Sequence, residues 1–373
     1  MNLHTIKTPS LVLDVERVRR NAETMSARVR GLGASLRPHV KTHKCVEVAR
    51  IQTAGAAGGI TVSTLAEARA FAAEGFTDIP YAVPVEPGKF AEAIELSKLC
   101  ERFALITDDA GIPPALDEAA RRAGVTLDLF LKVDCGYHRC GVEPERPEAL
   151  EIPRLIQRAA NLRFAGILTH AGHSYHAGSH EELLGIARHE RDLMREFAGR
   201  LRSDGVEVPT VSIGSTPTVT QADHLEGVDE ARPGNYIFFD AFQATLGSCT
   251  FADCALTVLA AVVHRDPVRR RVVLDAGAIA LSKDRGPAEL DPSCGFGRVL
   301  DLEGRELGLR VDSLSQEHGA VEVGDERLFD ALRVGERVRV LANHSCLTAA
   351  QHTHYHVLEG GRVVDRWEIQ RGW

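Results

Sequence analysis

Lys41 stands in the run Arg37, Pro38, His39, Val40, Lys41, Thr42, His43, Lys44, with two imidazoles and a second amine around it. A cationic neighbourhood lowers the pKa of an amine, and a lysine at the C-terminal end of a strand can then act as a nucleophile that forms a Schiff base with a carbonyl. Far downstream, Asn343, His344, Ser345 and Cys346 set an imidazole and a thiol two positions apart, a spacing suited to zinc. On an extended segment His344 and Cys346 would point to the same side and reach one ion, leaving its other positions open for water or substrate. The alternative is a buried polar pair. An amine nucleophile together with a soft metal site leaves few kinds of chemistry open.

Two glycine-containing turns add a third ingredient. Residues 212–218, with Gly214, Ser215 and Thr216, follow a short apolar stretch, and their small side chains would leave N–H groups and hydroxyls facing one concave space. Residues 232–236, with Gly234 and Asn235, would close the other side of this phosphate cradle. Both could instead be ordinary strand-to-helix turns. The cofactor that needs an amine and a phosphate cup together is pyridoxal phosphate.

Two further polar turns follow apolar stretches. In the first, residues 134–142, Arg139 is placed to hydrogen-bond the ring hydroxyl or a substrate carboxylate, with a surface ion pair as the alternative. In the second, residues 169–175, Tyr175 is placed to meet the pyridine nitrogen, ahead of His170 and His173, which receive no role. His352, His354 and His356 alternate as the wet face of a strand does, and are left out of the metal site.

These groups need elements to hold them. Short apolar stretches at 36–41, 59–63, 79–83, 103–107, 127–133, 164–169, 210–213 and 228–232 alternate with amphipathic helical segments, the pattern of a parallel sheet covered by helices. Eight such units predict an α/β chain with a (β/α)8 barrel of the TIM type, its active site on the loops after the strands, where Lys41, Asp134, His170 and Gly214 fall. After residue 240 strands dominate, at 255–263, 271–274, 319–322, 337–341, 355–358 and 362–369. The expected domains are therefore a cofactor-binding barrel over 15–240 and a mostly β C-terminal domain over 241–373. The latter is joined by the N-terminal strand within 1–14 and carries the metal motif.

The 373 residues, 44% hydrophobic, are ample for a packed core. No apolar run reaches the roughly 18 residues of a membrane helix, and the first 13 residues lack the layout of a secretory signal, so a soluble cytoplasmic protein is expected. A formal charge of −8, with no long basic run, argues against a nucleic-acid partner and for small-molecule chemistry. The eight scattered cysteines are expected to be reduced, and the pairs Cys135/Cys140 and Cys249/Cys254 lack the second half of a metal clip.

Taken together, residues 8–14, 37–44, 169–175, the turn at Gly214 and the terminal 343–346 resemble the D-serine dehydratase and D-threonine aldolase family, with the alanine racemase fold, type III among pyridoxal phosphate enzymes. The resemblance covers essentially the whole chain and makes Lys41 the cofactor-linking lysine. It also divides the activities. Aldolase members typically end in a His-x-Asp pair with manganese or magnesium, whereas zinc-dependent dehydratases look like the pair His344 and Cys346, as thiolate affinity for zinc over hard ions requires. The resemblance thus implies a zinc- and pyridoxal phosphate-dependent dehydratase of a D-β-hydroxy amino acid: D-serine, D-threonine or D-3-hydroxyaspartate. No motif aligns with the catalytic tyrosine of true alanine racemases. An aldolase of the same substrates is the enzymatic alternative. A non-catalytic pyridoxal phosphate-binding protein is the other, although such single-barrel proteins lack a second β domain. The resemblance further implies a homodimer, with residues 316–319 near the active site.

Overall fold

The computed structural model describes residues 2–54 and 59–373. Its strands are β1 (Ser10–Asp14), then β2 (Ser35–Leu36), β3 (Asp78–Pro84), β4 (Arg102–Thr107), β5 (Leu127–Lys132), β6 (Leu162–Leu168), β7 (Val211–Ile213) and β8 (Glu230–Ala231). There follow β9 (Leu256–Asp266), β10 (Arg271–Leu274), β11 (Arg298–Leu300), β12 (Glu306–Arg310), β13 (Ser313–Leu314), β14 (Gly319–Glu322), β15 (Arg337–Leu341), β16 (His354–Glu359) and β17 (Arg362–Glu368). The chain forms two compact units. One comprises Glu23–Lys41, Gln52–Gly234 and Gln370–Trp373, and the other comprises Met1–Ala22, Thr42–Ile51 and Asn235–Ile369.

The first unit is built on parallel strands in the order β2, β8, β7, β6, β5, β4, β3. The ring is closed by residues 60–62, which make only two isolated parallel bridges, His39 to Thr61 and Val62 to Tyr81. The eighth strand expected at 59–63 is thus reduced to a pair of rungs, held by Thr61 N–H on the Pro38 carbonyl and Val62 N–H on the Pro80 carbonyl. Every residue of β5 is buried, as a parallel strand covered on both faces must be. Helices fill the crossovers, each started by its own chemistry: Thr64 accepts the Glu67 N–H ahead of Leu65–Ala73, and Ser179 accepts the Glu182 N–H ahead of His180–Ser203.

Polar side chains join the strands inside this ring. Glu230 accepts from Arg37 Nε at 2.6 Å and from Ser212 Oγ at 2.7 Å. Arg232 donates onward to Ser212 Oγ and to the Thr169 carbonyl. Buried charge is tolerable there because it is paired or hydrogen-bonded at each step.

The second unit is a ten-stranded sheet with the path β12, β11, β15, β9, β1, β16, β17, to which β10, β14 and β13 attach beside β9. β1 sits in its middle, antiparallel to β9 and parallel to β16, so Leu11, Val12 and Leu13 are fully withdrawn from water. β10, β14 and β15 coincide with the strands read from the sequence, whereas β11, β12 and β13 were not anticipated. Among the described residues the helices wholly within this unit after residue 240 are no longer than six residues.

Candidate active site

The strand expected to run through 36–41 is shorter. β2 stops at Leu36, the ladder continues only through His39 N–H on the Pro233 carbonyl, and Val40–Thr42 is a turn of 3-10 helix. Pro38 supplies no N–H to extend the strand. Lys41 therefore sits on a turn just past the strand, half-buried, its own N–H directed to His39 Nδ1 at 3.4 Å. Turns of this kind follow the C-terminal strand ends of a parallel barrel, where catalysis is placed.

Around it the barrel end is cationic. His170, past β6, has its pKa driven well down, first by burial and then by the charges of Lys41, Lys132 and Arg139. Its Nδ1 lies 3.2 Å from the Gly214 carbonyl. Tyr137 packs edge-on to it with ring centroids 6.2 Å apart, and the Arg139 guanidinium lies 5.2 Å from the Tyr137 ring centre. Gly172 makes room for that ring, since a β-carbon there would lie 2.2 Å from Tyr137 Cε1.

The turns expected to cradle phosphate are tied from behind by a buried network. Glu190, from the helix His180–Ser203, accepts the N–H groups of Ala171 at 3.0 Å and Gly214 at 3.1 Å on one oxygen, and the Thr218 hydroxyl at 2.8 Å on the other. Burial raises its pKa, and those three hydrogen bonds act against the rise. Ser215 caps the helix Thr216–Gln221, its hydroxyl reaching Ser174 at 2.9 Å and its N–H directed to Thr218 Oγ1. The Gly214 and Ser215 N–H groups, which the sequence assigns to phosphate, are thus engaged with Glu190 and Thr218. Gly214 has φ +117°, and a β-carbon on it would meet Val219 Cγ2 and the Arg232 nitrogen at 3.0 and 3.1 Å. Thr216 is buried on the first turn of that helix, and Gly234 is buried between Pro233 and Asn235.

Arg139 is exposed and stacked on Tyr137, while Tyr175 is half-buried on the 3-10 turn Gly172–His176.

The second unit holds the metal motif. His344 and Cys346 do not lie on one extended segment: His344 has extended angles but is the N-cap of the helix Ser345–Ala349, which contains Cys346. A helical first turn carries them instead, and the charge of each shifts the pKa of the other. His344 Nδ1 lies 2.6 Å from Asp284 Oδ2, which reserves Nε2 for the Cys346 side. Burial opposes charge on His344, yet Cys346 and Asp284 outweigh it and hold the imidazolium well above its ordinary range. Burial likewise pushes the Cys346 thiol up, and His344 and Thr42 outweigh it, so that the net shift is downward.

Asp240 fixes this turn. One carboxylate oxygen accepts the Ser345 N–H at 2.9 Å and Asn235 Nδ2 at 2.7 Å, and Asn235 Nδ2 also lies 3.5 Å from Cys346 Sγ. The Asn235 carboxamide, expected at the phosphate, therefore serves the thiolate end. Thr42 Oγ1 lies 3.3 Å from Cys346 Sγ, and Thr42 is the residue after Lys41.

A thiolate and an imidazole whose far nitrogen is held by a carboxylate are the kind of donors, with the kind of outer support, that zinc takes. The barrel end suits an anionic cofactor because the charges of Lys41, Lys132 and Arg139 converge on His170 there. Lys132, Arg232, Glu190, Asp240, Asp284 and Thr42 were not singled out from the sequence. Lys132 carried a signal there, as one of two charges, with Asp128, in the mostly apolar run at 127–133.

Residues 13–241 match the family model "Alanine racemase, N-terminal domain", and residues 255–358 match "Putative serine dehydratase domain". The fold and its barrel-end lysine define a pyridoxal phosphate-dependent enzyme of fold type III. The chain is 39% identical to D-threo-3-hydroxyaspartate dehydratase of Delftia sp. (strain HT23), covering 100% of this chain and 99% of that one. The solved structure of that enzyme superposes with a TM-score of 0.96 over 100% of both chains. Identity is 33% to D-serine dehydratase of Dictyostelium discoideum, over 100% of this chain and 98% of the relative. It is 32% to D-threonine aldolase of Arthrobacter sp, over 98% and 93%. This chain belongs to the D-serine dehydratase and D-threonine aldolase family, among the lyases with an alanine racemase-like barrel.

Proposed function

We propose that this protein is a zinc- and pyridoxal phosphate-dependent dehydratase of D-β-hydroxy amino acids, converting D-serine or a close analogue such as D-threo-3-hydroxyaspartate to a 2-oxo acid and ammonia. The observation that carries the reading is the pair His344 and Cys346, whose charges shift each other's pKa, with His344 Nδ1 held by Asp284 at 2.6 Å. A thiolate suits zinc, and zinc suits activation of a leaving hydroxyl. The Delftia enzyme supports the metal: a cysteine-to-alanine mutant of it has been solved in a metal-free form.

Pyridoxal phosphate, when bound, supplies an electron sink for charge at Cα. Zinc, when bound to His344 Nε2 and Cys346 Sγ, supplies a Lewis acid for the β-hydroxyl. Lys41 Nζ would be the group that holds the cofactor and, when free, the general base for the α-proton. His170 is held neutral by burial and by the charges of Lys41, Lys132 and Arg139, so it offers a ring nitrogen without adding charge. Loss of the α-proton and the β-hydroxyl, the latter leaving as water, releases an enamine whose hydrolysis consumes one water and yields oxo acid and ammonia. Gly214, Ser215, Thr216 and Gly234 are assigned to the phosphate, and Arg139 and Tyr175 to the ring and its substituents.

The same reading places the protein in the cytoplasm as a homodimer. In support, no described helix is long and apolar enough to cross a membrane, and the eight cysteines are free.

Product analysis tests the activity. D-serine and D-threo-3-hydroxyaspartate should give oxo acid and ammonia in equal amounts, and chelation should stop this while leaving the visible absorption of the bound cofactor intact. Glycine plus an aldehyde as sole products would replace the dehydratase with an aldolase. Full activity in metal-free protein would remove the zinc.

A further inference from the structure

Lys132 is the last residue of β5 and only 5% exposed. In the ring of eight, β5 is the fifth strand and the segment leading to Lys41 the first, so the two lysines stand on opposite sides of the barrel end. His170 feels both charges.

An ammonium has three N–H donors. The Lys132 ammonium makes a single hydrogen bond, to the Val133 carbonyl at 3.3 Å, and among the described residues no carboxylate lies within ion-pairing distance of it. The nearby carboxylates are committed elsewhere: Glu190 to Ala171, Gly214 and Thr218, and Glu230 to Arg37 and Ser212. The adjacent Cys135 thiol gives no counter-charge either, since burial pushes its pKa up to about 12. What surrounds Lys132 adds to the problem, because Arg232 and Arg139 bring further positive charge. Burial first, then Arg232, lower the amine to about 8, which leaves it largely protonated at neutral pH. A buried cation beside other cations, with two donors unused, is stable only if an anion arrives from outside the chain.

We infer that Lys132 is an anion-binding residue at the barrel mouth, its ammonium taking an oxyanion carried by the bound cofactor or by the carboxylate of the substrate. The inference rests on the pyridoxal phosphate reading above and extends it to a residue that reading leaves unused.

The experiment compares wild type, Lys132→Met, which keeps the length and removes the charge, and Lys132→Arg, which keeps the charge. Zinc-loaded protein freed of cofactor is titrated with pyridoxal phosphate and with pyridoxal, followed by visible absorption. The reconstituted forms are then titrated with D-serine and D-serinamide. If the oxyanion belongs to the cofactor, Lys132→Met weakens pyridoxal phosphate at least tenfold. Pyridoxal, weakened equally, then assigns the ring oxygen, and pyridoxal left unchanged assigns the phosphate. If it belongs to the substrate, cofactor binding is unchanged, D-serine is weakened at least tenfold, and D-serinamide is not. In each case Lys132→Arg recovers most of the loss, which a merely structural role would not produce. Should Lys132→Met fail to fold, Lys132→Gln carries the same readout. Wild-type constants for all ligands in the uncharged variants overturn the inference. Failure of wild type itself to bind pyridoxal phosphate overturns the underlying reading instead.

Discussion

His344 meets the Asp284 carboxylate through Nδ1 at 2.6 Å, and that contact decides which nitrogen the imidazole offers on its other side. With Nδ1–H given to Asp284, Nε2 is the basic nitrogen and Cys346 its neighbour. A carboxylate in this position fixes the ring and raises its basicity, and loss of such a partner typically costs 10- to 100-fold in metal affinity. Asp284→Asn should therefore weaken zinc by about that factor in chelator competition, with cofactor absorption unchanged. Zinc affinity equal to wild type would remove Asp284 from the site.

Lys41→Ala separates the two halves in the other direction. The variant should lose the visible absorption of bound cofactor and roughly 10²- to 10⁴-fold or more of its activity, since nucleophile and base are the same group. Zinc content should match wild type. Persistence of the absorption band in this variant would assign the linkage to another lysine.

Lys41, His344 and Cys346 could be proposed from the sequence because their chemistry is carried by residue type and by spacings of a few positions. Their supports were not, because folding brings them from far away. Asp284 is 60 residues from His344, and Thr42 is 304 residues from Cys346. β5, mostly apolar, and β15, which alternates Arg337 and Arg339 with valines, were legible for the same local reason. The segment expected at 59–63 forms only two rungs, and β12 is short, with Leu307 and Leu309 as its only apolar residues. The geometry of the metal pair was misjudged because an i, i+2 spacing suits a strand, whereas here a helix begins at Ser345. Glu190 read as one more polar position on an amphipathic helix, and only its three acceptor contacts mark it as the tie between the turns after β6 and β7.

Lys132 gives a pH signature in cofactor-free protein. Its folded-state pKa is lowered from 10.5 to about 8, so between those values the folded chain binds fewer protons than the unfolded one. Stability then rises as pH climbs through that window, by at most about 3 kcal/mol for this group, and the contribution is absent below pH 8, where both states carry the proton. Urea unfolding at pH 7.5 and pH 10 should show Lys132→Met gaining more over wild type at the lower pH. An equal difference at both values would mean that the amine titrates normally.

Gly166 tests the packing behind the site. In β6 it adopts φ +127°, and a β-carbon there would lie 2.0 Å from the Thr210 carbonyl oxygen, a backbone atom that cannot swing aside. That spacing is what lets Ile167 N–H reach the same carbonyl at 2.9 Å and align β6 with β7, the two strands whose following turns carry His170 and Gly214. Gly166→Ala should cost about 3 kcal/mol or more, from both the strained angle and the collision. Gly185, exposed on the helix His180–Ser203 with nothing within 4 Å of its would-be β-carbon, provides the contrast. There the same substitution should stabilise by up to about 1 kcal/mol, because alanine favours the helix and glycine does not. Urea midpoints for the two variants should move in opposite directions, and a Gly166→Ala protein as stable as wild type would mean that β6 and β7 can part without loss.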